Sequence, residues 1–184
     1  NNTYTYDAAG TMLTNTGTNS EVLSDGTEIS SSSYSTVDNV DGTHTETNTW
    51  SGEQGNSNTS IRIYDANWTI LTETSSYTYS YTDENGDTQL STTHYGADYE
   101  YDAAGNLLTQ TITNSWENGS DITVYDAGWI MISATVTNGS KTTEYGEDWS
   151  IISTSINFDA LGDSVSEGDY TVYTELDQIG RAHV

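Results

Sequence analysis

The acidic segment DENGD, at residues 83–87, is the strongest candidate for metal chemistry in this chain of 184 residues. Asp83, Asn85 and Asp87 alternate, and oxygen-ligand loops for Ca²⁺ place carboxylates and amides in this way. The glycine stands at the fourth position instead of the sixth, and the twelfth position is His94 instead of a bidentate Glu. A calcium site and a plain hairpin tip both remain open, and the sequence favours the hairpin tip.

Tryptophan offers a second kind of chemistry, because an exposed indole ring can stack on a sugar ring. Trp68, Trp129 and Trp149 share one position of a pattern that recurs in the chain, which favours packing between copies of that pattern. Trp50 and Trp116 lie between the copies. These two are therefore the candidates for carbohydrate binding.

Threonine alternates through the segment THTETNT, at Thr43, Thr45, Thr47 and Thr49. Alternate residues of a strand share one face, so this segment predicts a row of hydroxyl groups. A regular array of threonines could order water as ice-binding surfaces do. Threonine is also a common residue of exposed strands, and this simpler explanation is favoured.

No residue pattern indicates catalysis. A carboxylate pair for glycoside hydrolysis could lie among the 28 acidic residues, but no spacing singles one out. His44, His94 and His183 show no metal-ligand spacing, and neither a nucleophile elbow nor a phosphate loop is present. We therefore expect a protein that is not an enzyme, with calcium as the one possible cofactor.

A short repeated pattern organises the chain and predicts the elements that hold these residues. Each copy has an aromatic residue, usually an Asp, a tight turn, two adjacent apolar residues and two alternating hydroxyl residues. The strong copies lie at 4–16, 61–74, 99–113, 122–137 and 142–155, and degraded copies are expected at 156–168 and 173–184. Constant offsets within the copies indicate one duplicated hairpin unit.

Two families of turn are predicted within these copies. In DAAG, the Asp can cap the turn and the Gly can take the left-handed conformation of a type I turn with a bulge. In DANW and DAGW, the permissive residue comes one place earlier, which predicts a type II turn. The turn-forming residues are Asp7, Gly10, Asp65, Asn67, Asp102, Gly105, Asp126 and Gly128.

The segments that flank the turns are predicted to be strands. Adjacent apolar residues such as Met12 and Leu13 should point to opposite faces, which predicts that both faces are covered at that level. Segments rich in Asn, Asp and Gly predict further hairpin turns at 24–27, 38–42, 83–87, 117–119 and 137–140. The fold class expected is all-β: one elongated antiparallel β-meander over residues 1–184, with roughly a dozen strands and almost no helix.

The segments YTYDAAGTML, at residues 4–13, and YEYDAAGNLL, at residues 99–108, fit the pattern YxYDxxGxL. This pattern resembles the YD repeat of bacterial RHS and teneurin-type proteins, and FDALG at 158–162 and LDQIGR at 176–181 are similar to degraded copies. The resemblance implies extracellular antiparallel β-hairpins with a structural role and no catalytic residue. It does not extend to the large shells of that family, because 184 residues are too few to enclose one.

Composition narrows the range of partners. A formal net charge of -25 repels nucleic acids and anionic lipid, so we expect no binding to nucleic acid. We also expect no membrane insertion, because the sequence contains no apolar run long enough to cross a membrane. The same charge favours a saline or calcium-containing medium outside the cell. The chain has no Cys, which excludes disulfides and thiolate metal sites.

The function expected from the sequence is structural. The chain is interpreted as part of a longer secreted or surface-displayed bacterial protein, acting as a subunit of an extracellular filament or as an adhesin stalk. Self-association or contact with neighbouring repeats would be its main interaction. The alternative is an extracellular polysaccharide-binding domain, and an ice-binding protein or a glycoside hydrolase is less favoured.

Overall fold

The computed structural model describes residues 1–157. His183, the degraded copy predicted at 173–184 and nearly all of the copy predicted at 156–168 lie outside the described residues. The chain divides into two compact units, the first spanning Asn1–Tyr99 and the second beginning at Glu100.

The first unit is an antiparallel meander in which each strand pairs with the next along the chain. A short 3-10 turn, Glu53–Gly55, connects its fourth and fifth strands. The last strand of this unit ends just beyond the unit boundary. The strands are β1 (Asn2–Tyr6), β2 (Met12–Val22), β3 (Glu28–Asp38), β4 (His44–Ser51), β5 (Ser57–Tyr64), β6 (Ile70–Thr82) and β7 (Thr88–Tyr101).

The described part of the second unit is also an antiparallel meander. Its strands are β8 (Leu107–Trp116), β9 (Gly119–Asp126), β10 (Met131–Asn138), β11 (Lys141–Tyr145) and β12 (Ile151–Ile156), with a 3-10 turn at Glu147–Trp149. The prediction of an all-β antiparallel meander with almost no helix is confirmed for residues 1–157. In that range, no helix has the length and apolar character needed to cross a membrane.

Most of the tight turns share one hydrogen-bonding pattern. In the first, the N–H of Asp7 donates to the carbonyl of Thr11 at 2.9 Å, and the N–H of Gly10 donates to the carbonyl of Asp7 at 3.1 Å. This is a three-residue hairpin loop, a type I turn followed by one residue in the left-handed conformation. The same pattern begins at Leu23, Asn39, Asp65, Asp83, Asp102 and Asp126.

The type II turns predicted for DANW and DAGW are wrong. Neither Asn67 nor Gly128 has a positive φ; instead Trp68 has φ of +64° and Trp129 has φ of +63°. These tryptophans occupy the place that Gly10, with φ of +85°, occupies in DAAG. One turn type therefore serves both sequences, and Asn67 and Gly128 contribute backbone N–H groups to it.

Contacts of the tryptophan rings explain how a bulky residue is held in the left-handed conformation, which ordinarily costs about 1–2 kcal/mol. The ring of Trp68 stacks on His44 with centroids 4.1 Å apart and contacts Tyr64 at 5.5 Å. The ring of Trp129 lies 5.9 Å from Tyr125, the tyrosine that precedes its own turn. Ring contact thus opposes the backbone strain.

A break in the register lies at the apolar pairs, where ideal alternation between the two faces was predicted. Tyr6 pairs with Met12 while Thr5 pairs with Thr14, so Leu13 is an extra residue in its strand. A β-bulge of this kind sets two residues against one, and both members of the pair therefore oppose the tyrosine. Equivalent bulges follow the pairs Tyr64–Ile70, Tyr125–Met131 and Tyr145–Ile151.

The apolar core is thin. Among residues 1–157, the buried apolar side chains are Ala97, Met131 and Ala134. Met12 and Leu13 are 37% and 39% exposed, so the prediction of covered faces at the apolar pairs does not hold there. In the first unit, each strand has neighbours in the plane of the sheet, and no second layer of the same unit covers either face.

Candidate functional site

The register of the first unit sorts its side chains onto two chemically different faces. Directly paired residues of an antiparallel sheet share a face, and consecutive residues of a strand alternate between faces. One face, which we call the aromatic face, carries Trp50 and every tyrosine of this unit: Tyr4, Tyr6, Tyr34, Tyr64, Tyr77, Tyr79, Tyr81, Tyr95 and Tyr99. The opposite face carries mainly Ser and Thr, and we call it the hydroxyl face.

Trp50 lies on the aromatic face near the end of β4 and is 41% exposed. Its ring covers Gly52, where an added Cβ would come within 2.5 Å of the indole. Asn58 stands directly opposite Trp50, and Tyr77 stands directly opposite Asn58 on the next strand. Two exposed rings therefore lie two strand spacings apart, ~10 Å, with an amide group between them.

A shallow depression of about 120 Å³ adjoins Trp50 and is lined also by Asn48, Asn58 and Ser60. Amide and hydroxyl groups around an exposed indole can hydrogen-bond the hydroxyls of a sugar whose ring stacks on the indole. An exposed indole, two amides and a hydroxyl group therefore lie close together at Trp50.

Trp116, the second predicted stacking residue, lies at the end of β8 in the second unit and is 38% exposed. It stands opposite Gly119, where an added Cβ would come within 2.7 Å of the indole. The nearby amide of Asn114 donates to Asp121 at 3.0 Å. This amide is already used in a cross-strand hydrogen bond. The surroundings of Trp116 differ in this respect from those of Trp50.

A tyrosine ladder runs along β6 on the aromatic face. The ring centroids of Tyr77 and Tyr79 are 6.0 Å apart, and those of Tyr79 and Tyr81 are 6.2 Å apart. The three side chains are 43%, 37% and 45% exposed. Their partners on β7 are Thr93, Ser91 and Gln89, which are uncharged, and the side-chain amide of Gln89 donates to the carboxylate of Asp83 at 3.0 Å.

Beside the β5–β6 turn, the aromatic face carries an ion pair. The guanidinium of Arg62 donates twice to one carboxylate oxygen of Glu73, at 2.7 and 2.9 Å. This hydrogen bonding raises the pKa of Arg62. The hydroxyl of Tyr64 donates to Glu46 at 2.8 Å, and burial raises the pKa of Tyr64. The charged groups here satisfy one another, which is typical of a structural network.

His44 belongs to the same region and pairs with Asp38, its Nδ1 lying 2.5 Å from a carboxylate oxygen. The indole of Trp68 stacks on one face of the imidazole. Sequence reasoning missed this pair, because Asp38 was assigned to a turn and His44 to no site. The two residues face each other only through the pairing of β3 with β4.

In the segment DENGD, the carboxylate of Asp83 closes a turn. One oxygen accepts the N–H groups of Asn85 and Asp87, both at 2.9 Å, and the other accepts the side-chain amide of Gln89 at 3.0 Å. The backbone hydrogen bond from Asp87 is the main cause that lowers the pKa of Asp83. Within residues 1–157, no three His, Cys, Asp or Glu side chains are grouped so that they could hold a metal ion.

The other predicted turn aspartates use their carboxylates as Asp83 does. One oxygen each of Asp7, Asp65, Asp102 and Asp126 accepts the N–H groups two and four residues further on, at 2.8–2.9 Å. Hydrogen bonds lower the pKa of Asp65 and Asp102, chiefly those from Thr69 and Asn106, respectively. These residues hold turns and do not converge on a common site.

The hydroxyl face contains a regular array that the sequence alone did not show. On β2 to β6, three consecutive rows of directly paired residues run across the five strands, and Ile61 is the only member without a hydroxyl group. We call this array the hydroxyl patch: Thr16, Ser35, Thr47, Ile61 and Thr74; Thr18, Ser33, Thr49, Thr59 and Ser76; Ser20, Ser31, Ser51, Ser57 and Thr78.

Comparisons with known proteins assign no family to this chain. No protein-family model matches it, and a search of curated proteins found no match. The function is therefore argued from the geometry of the two faces.

Proposed function

We propose that this chain is a structural, non-catalytic module that assembles with further copies of itself through the aromatic face. The observation that carries the proposal is the exposure of this face on a single-layer sheet: Tyr6 is 58% exposed and Tyr81 is 45% exposed. Large exposed apolar patches mark interaction surfaces on soluble proteins. A second copy would bury rings that the first unit leaves open to solvent.

The charge distribution supports contact between copies at the tyrosine ladder. The chain as a whole repels its own copies, because its formal net charge is -25. Tyr77, Tyr79 and Tyr81, however, face uncharged partners on β7. Contact at the Tyr77 end of the ladder therefore brings rings together beside uncharged residues, whereas the carboxylate of Asp83 lies beside the Tyr81 end.

The YD segments support a role in a secreted or surface-displayed bacterial protein, as a filament subunit or an adhesin stalk. Their Asp residues close hairpin turns, which is the structural use that a resemblance to RHS and teneurin-type repeats implies. The proposed extracellular location also agrees with the acidity of the chain, since external salt screens self-repulsion.

Sedimentation velocity over a range of protein concentrations at physiological salt tests this assembly. We expect the chain to form dimers or larger species, and a variant with Tyr77→Ser, Tyr79→Ser and Tyr81→Ser to remain monomeric. The matched control, Thr78→Ser with Ser80→Thr and Thr82→Ser, alters the opposite face of the same strand and should assemble like the unmodified chain. A monomer at every concentration would overturn the proposal.

Binding of an extracellular polysaccharide is the second candidate, and the arrangement of Trp50, Asn58 and Tyr77 favours it. A glycan array, followed by titration of tryptophan fluorescence, tests this function. Trp50→Ala should weaken binding at least tenfold, whereas Trp149→Asn, which removes an exposed ring at φ of +58°, should leave it unchanged. No detectable binding to any glycan on the array, or equal binding by both variants, would argue against a sugar site at Trp50.

A further inference from the structure

We propose that the hydroxyl patch on β2 to β6 binds ice. It lies on the opposite face from the rings that the proposed assembly uses, so the two functions are independent. The patch comprises three rows of side chains across five adjacent strands, and its central row is Thr18, Ser33, Thr49, Thr59 and Ser76. None of the side chains in the patch is buried.

The patch repeats in two directions. Neighbouring strands lie about 4.8 Å apart, and alternate residues along one strand lie about 7 Å apart. The backbone positions that carry the hydroxyl groups therefore repeat at two intervals that resemble repeat distances between oxygen atoms on planes of crystalline ice. The hydroxyl oxygens of two cross-strand pairs lie closer together than this backbone spacing. A two-dimensional repeat is of use mainly for a ligand that is itself periodic.

Charge is absent from the patch. The sequence contains 28 acidic residues, and none occupies any of the positions in the three rows. Charged groups hold tightly bound water of their own, which does not fit an ice lattice. A strand region of this size without one carboxylate, in a chain of net charge -25, indicates that the patch meets a neutral, hydroxyl-like partner.

Hydroxyl groups in the patch bond to each other across strands. Ser33 and Thr49 lie 2.6 Å apart, and Ser31 and Ser51 lie 2.7 Å apart. A hydroxyl has one donor and two acceptor sites, so each pair keeps capacity for water. The cross-strand bonds also restrict the rotamers of these Ser and Thr side chains. A layer of water on the patch would therefore be ordered before the patch contacts ice.

Other occupants fit the patch less well. A second copy stacked on this face would need uncharged side chains. It would not need hydroxyl groups that repeat both along the strands and across them. A soluble sugar chain would be bound better on the aromatic face, where Trp50 and Tyr77 can stack on it. The uncharged hydroxyl groups on regularly spaced backbone positions therefore favour ice.

Inhibition of ice recrystallisation by the full chain, together with binding of fluorescently labelled chain to a growing ice surface, tests the proposal. We expect the unmodified chain to be active at micromolar concentration. Thr59→Lys, in the central row of the patch, should raise the concentration needed at least tenfold. Ser60→Lys, which adds the same charge to the aromatic face one residue away, should leave ice activity unchanged.

Thr59→Val keeps the size of the side chain and removes the hydroxyl, so it tests the proposal even where a lysine perturbs the fold. Far-UV circular dichroism of each variant checks that the sheet forms. Absence of ice activity in the unmodified chain would overturn the proposal, as would full activity in both Thr59 variants. Sedimentation that shows a dimer lost in Thr59→Lys but kept in Ser60→Lys, without ice activity, would identify the patch as a contact between copies instead.

Discussion

At the scale of single residues, the aspartate of each hairpin determines the turn, and Asp102 is the clearest case. Hydrogen bonds from Asn106 hold the pKa of Asp102 below its usual value of 3.8. A group whose pKa is lower in the folded state stabilises that state fully above its unfolded pKa. The contribution is lost as the pH falls through the folded pKa.

Asp102→Asn is therefore expected to lower stability at neutral pH and to have no effect at strongly acidic pH. The difference from the unmodified chain should stay constant from neutral pH down to about 3.8 and vanish below the folded pKa. Urea unfolding midpoints over this pH range measure it. Glu117→Gln removes one negative charge from another turn and serves as the control; a pH-independent difference for Asp102→Asn would contradict the prediction.

The second residue-scale prediction concerns the left-handed position of the turn. Gly105 has φ of +84° and open space around the position of a Cβ, so Gly105→Ala should cost about 1–2 kcal/mol through backbone strain alone. Gly128 lacks a positive φ, and Gly128→Ala should be neutral or stabilise by up to about 1 kcal/mol. Urea unfolding free energies test the pair, and an equal cost at both sites would contradict the assignment of this position to Trp129.

At the scale of strands, a close contact joins β2 to β3. Gly17 pairs directly with Tyr34, whose ring occupies the space that a side chain at position 17 would need, with Cζ 2.8 Å from an added Cβ. The ring thus covers a glycine that would otherwise weaken the strand. The tyrosine hydroxyl also donates to Asn15 at 3.2 Å.

Gly17→Val is expected to destabilise the chain by about 1–3 kcal/mol, because the ring of Tyr34 must move. In a Tyr34→Ser background the same substitution should stabilise by up to about 1 kcal/mol, since valine favours strands. A double-mutant cycle in urea measures this reversal of sign. Equal effects in the two backgrounds would show that the ring and the glycine are not coupled.

At the scale of the whole molecule, acidity determines how stability responds to ions. With a formal net charge of -25, self-repulsion opposes the folded state. Raising NaCl from about 0.01 to 0.15 M shortens the Debye length from about 30 to 8 Å, so the unfolding midpoint should rise over this range. A midpoint that does not change with salt would contradict this prediction.

At the same ionic strength, calcium should change the unfolding temperature of Asp87→Asn as much as that of the unmodified chain. The reason is that both carboxylate oxygens of Asp83 already accept hydrogen bonds at the turn. Thermal unfolding in matched NaCl and CaCl₂ solutions measures the comparison. A calcium-specific rise that Asp87→Asn abolishes would instead establish a metal site at residues 83–87.

The sequence by itself determined the class of fold and most positions of the hairpin turns, because both follow from local chemistry. Strand alternation and Asn, Asp and Gly in short segments indicate turns without reference to distant residues. The turn at Gly52–Asn56 was missed, although its two glycines, Gly52 and Gly55, were a signal for it. Stacking at Trp50 was proposed from residue type, but its neighbours Asn58 and Tyr77 were not.

Tertiary structure decided which residues meet across strands, because hydrogen-bond register joins residues distant in the sequence. Bulges beside tyrosines such as Tyr6 set two residues of one strand opposite one residue of the next, which ideal alternation does not predict. Trp68 and Trp129 take a conformation that propensity assigns to glycine, since ring contacts oppose the strain. The alternating threonines of β4 were visible in the sequence, whereas their alignment with hydroxyls on four other strands depends on register alone.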